Sequence, residues 1–164
     1  QAIDREPIVP GRIYVAPPDE HLLLTPSQVR LTQGPREQGH RPAIDTLFRS
    51  AARVFGPRVA GVILSGTLDD GTAGLIEIKA RGGLALVQQP EEASYAGMAL
   101  SAIRNVEVDY VAPARELGAI LDGLARGHRR SAPFDSPAHE AGQTNTACPG
   151  TRCGATTLAW WSVL

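Results

Sequence analysis

Acid–base or hydrolytic chemistry in this chain has few places to reside. The densest is Ser65-Gly-Thr-Leu-Asp-Asp-Gly71, where two carboxylates and a hydroxyl fall in a glycine-bearing turn. Asp70 directly precedes Gly71 and a helical pattern. A carboxylate there can cap the helix, accepting an N–H at the positive end of the dipole. It can instead face a cleft and hold a catalytic imidazole in its working tautomer, as the acid of a triad does. Asp69 reads as a solvated loop residue. No G-x-S-x-G nucleophile elbow is present, and nothing in the sequence pairs Ser65 with a base. Ser50, Ser94 and Ser101 lie in or just before helical stretches. His21 and His40 stand at element boundaries, where hydrogen-bonding roles are expected, and His128 and His139 lie at the domain end and in a linker.

Other chemistries fit less well. The loop lacks both G-x-x-x-x-G-K-[ST] and G-x-G-x-x-G, so phosphate binding is a weak signal. Asp70-Gly71-Thr72 echoes the D-x-D-G-T loop of haloacid-dehalogenase-like phosphatases, but their nucleophilic position falls on Leu68. Cys148 and Cys153 are separated by four residues, within the spacing of one zinc knuckle. A structural zinc needs four ligands, no second cysteine pair follows, and His128 or His139 would have to fold back. Free thiols, no metal and no cofactor are the expectation.

The elements that must position Asp70 form a βαβ unit. Val59–Leu64 is an apolar, β-branched run suited to a buried strand. Thr72–Arg81 reads as a helix, with Ala73, Ile76 and Ala80 on one stripe and Leu75 beside it. Gly82-Gly83 suits its C-cap, and Leu84–Gln88 is a second strand. The linking helix predicts parallel pairing with a right-handed crossover. Asp69 and Asp70 then stand at the carboxyl end of a central strand, where open α/β sheets place ligands.

Upstream, residues 1–11 read as a charged, Pro-rich lead-in and Arg12–Ala16 as a strand stopped by Pro17-Pro18. His21–Leu24 and Gln28–Thr32 make a hairpin about Thr25-Pro26-Ser27, and Gly34–Gly39 is a loop. A helix follows Pro42, with Ile44, Leu47, Phe48, Ala51 and Phe55 on its buried face. Downstream, a turn at Gln89–Glu92 precedes a helical pattern over Tyr95–Ile103. Val108–Val111 is a short strand, and Ala114–Ala125 is a helix with Leu117, Ile120, Leu121 and Leu124 inward. Residues 131–147 have linker composition, and Trp160 and Trp161 lie near the end.

The 164 residues carry a net charge of −1 and no basic block, which argues against nucleic acid. No apolar run reaches membrane-helix length, so no membrane insertion is expected. With two cysteines, a reducing cytoplasm is the expected location. The first residue is Gln, so a processed start or a piece of a longer protein is expected.

Four co-linear segments resemble the CheB-type protein-glutamate methylesterase domain. Gly11–Leu24 is similar to its G-R-x-Y-x-A-P-x-x-x-H-L-L. His40–Ser50 is similar to H-R-P-S-V-D-x-L-F-x-S, and Gly61–Gly74 to G-V-[IV]-L-[TS]-G-M-G-x-D-G-x-x-G. Gly82–Ile103 is similar to G-G-x-x-x-x-Q-D-P-x-x-A-x-x-x-x-M-P-x-x-A-I. The resemblance covers about residues 8–125. It implies an α/β domain with a mostly parallel sheet and flanking helices. It also implies hydrolysis of glutamyl methyl esters on the cytoplasmic domains of methyl-accepting chemoreceptors, in some members glutamine deamidation, and a metal-free Ser-His-Asp triad whose acid falls on Asp70. The family's S-T-G-G serine loop and Q-H histidine motif, both upstream of G-R-x-Y-x-A-P, do not occur here. Thr67-Leu68 replaces the M-G of the catalytic loop, and Met98-Ala99 the usual M-P. Cys148–Gly154 resembles a shortened form of a C-P-x-C-G tail.

The expectation is therefore a partial methylesterase domain over 1–127, lacking its N-terminal strands and the Ser and His of the triad, and inactive alone. Residues 128–164 are expected to be a disordered linker and Cys-containing tail. The alternative is a non-catalytic module that binds receptor or partner.

Overall fold

The computed structural model describes residues 1–127 and 157–159. The linker composition of 131–147, both cysteines, His128, His139 and both tryptophans lie outside the described residues.

The βαβ unit forms as expected, with small boundary shifts. β3 (Val59–Ile63) is buried along its whole length and runs parallel to β4 (Leu84–Gln88). β5 (Tyr110–Ala112) adds to β4, again parallel. β1 (His21–Leu24) and β2 (Val29–Thr32) form a separate antiparallel hairpin. The helices are α1 (Ile44–Phe55), α2 (Thr72–Ala80), α3 (Gly97–Asn105) and α4 (Ala114–Ala125). One core packs α1, α2 and α3 against one face of the sheet, around Phe48, Ile63, Leu75 and Ile78. A smaller core on the other face joins Val62 and Leu86 to Leu117 and Leu121 of α4. Covering both faces explains why β3 reads as a continuous apolar run rather than an alternating one.

Four local readings change. Arg12–Ala16 is not a strand. Ile13 is 83% exposed and Val15 53%, and the segment meets neighbouring backbone through Ala2 N–H to the Val15 carbonyl. β-propensity makes a strand only where a partner edge exists. Residues 1–11 are more than a lead-in: Arg5 N–H donates to the Val29 carbonyl of the hairpin, Val29 N–H donates back to the Glu6 carbonyl, and Ala2 is buried.

On α2 the expected apolar stripe faces the wrong way. Ala73, Ile76 and Ala80 are exposed, and the buried face is Thr72, Gly74, Leu75 and Ile78. The deciding residue is Gly74. A Cβ there would lie 2.4 Å from Phe48 Cβ, so its bare backbone lets α2 press against α1. A glycine counts for little in a hydropathy stripe, yet here it makes the contact.

Finally, the second edge of β3 is paired. Thr157–Ala159 forms β6, parallel to β3, and the sheet order is β5-β4-β3-β6. The sequence pattern predicts no element past residue 127. An open edge on a central strand presents unpaired N–H and C=O groups that any extended segment can satisfy.

Candidate active site

Asp70 sits where the βαβ argument places it, in the turn between β3 and α2, and it is 6% exposed. Its neighbour Asp69 is solvated. Gly71 closes the turn at φ +91, and a Cβ there would press on Ile44 and Ile63 at 2.8 Å. Only glycine combines that conformation with that closeness.

The carboxylate does cap a helix, but not the one that follows it. Ile44 N–H donates to Asp70 Oδ2 at 2.9 Å and Asp45 N–H to Oδ1 at 3.1 Å. These are the first two residues of α1, whose own N-cap, Ala43, has no side-chain acceptor. Asp70 thus supplies, from 26 residues away, the anion that the start of α1 requires. The exchange is mutual. Asp45 is 2% exposed, and its Oδ1 accepts the Gly74 N–H of α2 at 2.6 Å. Burial pushes the Asp45 carboxyl above its usual value. The Gly74 N–H pulls it down, the Asp70 charge raises it again, and Arg49 and Glu37 act in opposite senses.

Among the described residues each Asp70 oxygen spends one lone pair on a main-chain N–H, which leaves one on each for a further donor. Two fixed amides hold the carboxylate in one orientation. A triad acid needs that anchoring to keep an imidazole in one tautomer.

No described serine or histidine completes such a set. His21 is buried one residue along, with Ala43 N–H donating to Nδ1 at 3.2 Å. Nε2 lies 2.9 Å from the Pro35 carbonyl and must carry the proton that bonds it. Both ring nitrogens are committed, so His21 is the hydrogen-bonding residue its position suggested. His40 is exposed, and its backbone pairs with Glu37. Ser65 Oγ accepts the Tyr95 N–H at 3.0 Å and ties the loop that carries Asp70 to the segment before α3. Ser50 donates to the Leu47 carbonyl, and Ser101 bonds Thr72. Among the described residues no group of His, Cys, Asp and Glu could hold a metal ion, and no helix is long and apolar enough to cross a membrane.

The model of the CheB methylesterase family matches residues 1–121. The chain belongs to the CheB methylesterase family. A putative protein-glutamate methylesterase/protein-glutamine glutaminase of Leptospira interrogans is 45% identical over 112 residues, spanning 68% of this chain and 58% of the relative. A protein-glutamate methylesterase/protein-glutamine glutaminase of Geobacter metallireducens is 42% identical over 122 residues, covering 72% of this chain and 34% of the relative. The crystal structure of the Thermotoga maritima CheB methylesterase catalytic domain superposes with a TM-score of 0.74 at 33% identity, over 76% of this chain and 68% of that one. The α/β fold with a parallel sheet between helices is that domain's fold. This chain thus spans 34–58% of the length of these two relatives.

Sequence reasoning missed Asp45. It lay inside the quoted segment His40–Ser50 without a role. Its signal is an acidic residue in the first turn of a helix whose N-cap, Ala43, cannot cap it.

Proposed function

We propose that this chain is the acid-bearing part of a protein-glutamate methylesterase, with Asp70 as the orienting acid of a Ser-His-Asp triad. The serine and histidine come from outside the described residues. In the assembled site the serine attacks the glutamyl ester carbonyl while the histidine takes its proton. The histidine then gives that proton to the departing methoxide, which leaves as methanol, and water, activated by the same histidine, hydrolyses the acyl-serine and returns the serine hydroxyl. Asp70 accepts the imidazole N–H and stabilises the cation as it forms. The chemistry calls for no metal or cofactor. The substrates are methylated glutamates, and in a second activity glutamines, on cytoplasmic domains of methyl-accepting chemoreceptors, which places the protein in the cytoplasm. The observation that carries this reading is a buried carboxylate at the carboxyl end of β3, held by two main-chain N–H groups, one on each oxygen.

A methyl-ester hydrolysis assay on the isolated chain should read near background. Robust turnover that survives Asp70→Ala would overturn the assignment.

A second reading is a non-catalytic module that docks receptor or partner. Ile3, Val9, Ile13 and Val15 are all exposed within the first fifteen residues, which is apolar surface without a described partner. Co-expression with the N-terminal part of a methylesterase separates the two. Restored turnover supports the enzyme reading, and receptor binding without turnover supports the module.

A further inference from the structure

Asp45 is a buried carboxylate for which the proposed chemistry has no use. Its connections run in a ring. Its N–H holds Asp70 Oδ1, Asp70 leads through Gly71 into α2, and the third residue of α2, Gly74, returns its N–H to Asp45 Oδ1. The two helices that flank the Asp70 turn are therefore each capped from the other one's side. Gly74 allows this because its Cα carries no side chain where α1 passes. A Cβ would stand 3.1 Å from Asp45 Oδ1 as well as against Phe48. The remaining oxygen, Oδ2, is 3.4 Å from Gln38 Nε2.

We propose that Asp45 is the positioning residue for Asp70. Its carboxylate ties the first turn of α2 to α1, and so keeps the Ile44 and Asp45 amides aimed at the Asp70 oxygens. A carboxylate whose only function was to cap α2 would affect Gly74 and leave Asp70 alone. The geometry links them, because the amide that bonds Asp70 and the side chain that bonds Gly74 belong to one residue. The catalytic consequence rests on the reading of Asp70 as the triad acid; the positioning itself does not.

The test is amide hydrogen exchange and carboxyl ¹³C NMR on the full chain. In Asp45→Ala, exchange at the Ile44 amide should speed up by about tenfold or more, which corresponds to about 1.4 kcal/mol of lost protection. The Asp70 side-chain carbon should shift. Asp45→Asn, which keeps an oxygen for Gly74, should restore both toward wild type. If Asp45→Ala melts the domain, Asp45→Ser carries the same expectation, since its hydroxyl is too short to hold Gly74. A folded variant with faster exchange at Gly74 but a wild-type Ile44 amide and Asp70 carbon would overturn the proposal. A catalytic readout keeps the two ideas separate. In an enzyme completed by an N-terminal partner, turnover insensitive to Asp70→Asn would refute the triad assignment and leave the exchange result standing.

Discussion

Replacing Asp70 by alanine removes the acceptor of two buried N–H groups at the start of α1. Each is a charge-assisted bond of about 1.5–3 kcal/mol, and a donor left dry costs more than a bond merely exchanged with water. Relief of the repulsion between Asp70 and buried Asp45 offsets part of this. The net expectation is a loss of about 2–5 kcal/mol, set against a total stability of roughly 5–15 kcal/mol. For a chain of this size, that lowers the melting temperature by roughly 4–20 °C. Asp70→Asn keeps one acceptor and turns an NH₂ group toward a donor, so it should lose about half as much. Urea unfolding followed by circular dichroism measures both variants. If Asp70→Ala stays within about 0.5 kcal/mol of wild type, which is the range of an ordinary surface change, the carboxylate does not bridge these amides and the capping argument fails. The practical consequence is that lost activity in Asp70→Ala is uninterpretable without a folding check, whereas Asp70→Asn is the cleaner probe of chemistry.

Other expectations follow from the same geometry. Burial raises the Asp45 carboxyl above the ordinary carboxylate range, so the folded chain holds that proton more tightly than the unfolded chain does. Its contribution to stability is intact below the ordinary carboxylate range and is lost as pH rises through the raised folded-state value. Wild-type stability minus that of Asp45→Asn should therefore fall over that window and then flatten, and a difference that stays constant or grows from pH 3.5 to 7 would contradict it. Gly74→Ala should destabilise by about 1–3 kcal/mol by thermal melting, because its Cβ would sit 2.4 Å from Phe48 Cβ and neither helix can yield freely. A chain ending at Gly127 keeps α1–α4, the hairpin and β3–β5, and among the described residues loses β6 with its three-residue pairing to β3. It should fold cooperatively and melt within a few degrees of the full chain; failure to fold would show that the unit does not end at 127.

Much of the fold was legible because it follows short-range rules. The apolar run at Val59, the break at Ser65–Gly71 and the strand at Leu84 dictate a parallel βαβ unit, and α1 and α4 show their buried faces at helical spacing. The errors came where a partner decides the outcome. Arg12–Ala16 has strand composition but no ladder to join. The buried face of α2 is set by Gly74, whose role is to be small. Asp70 was legible as a residue at a strand end, and as a cap or an acid. That it caps α1 rather than α2 was not, because the contact spans 26 residues and no local pattern encodes it. Asp45 stayed hidden for the same reason, as its partner Gly74 is 29 residues away.

The claim that Asp70 is the acid of a hydrolytic triad is tested most directly by completing the site. The chain would be mixed or co-expressed with the N-terminal part of a related methylesterase that supplies serine and histidine, and methanol release from methylated receptor measured for wild type and Asp70→Asn at equal folded concentration. Turnover should appear with the wild-type chain and fall by about 10⁴-fold with Asp70→Asn, the loss expected when an imidazole is left in the wrong tautomer. Turnover that appears and stays within tenfold of wild type in Asp70→Asn would contradict the account.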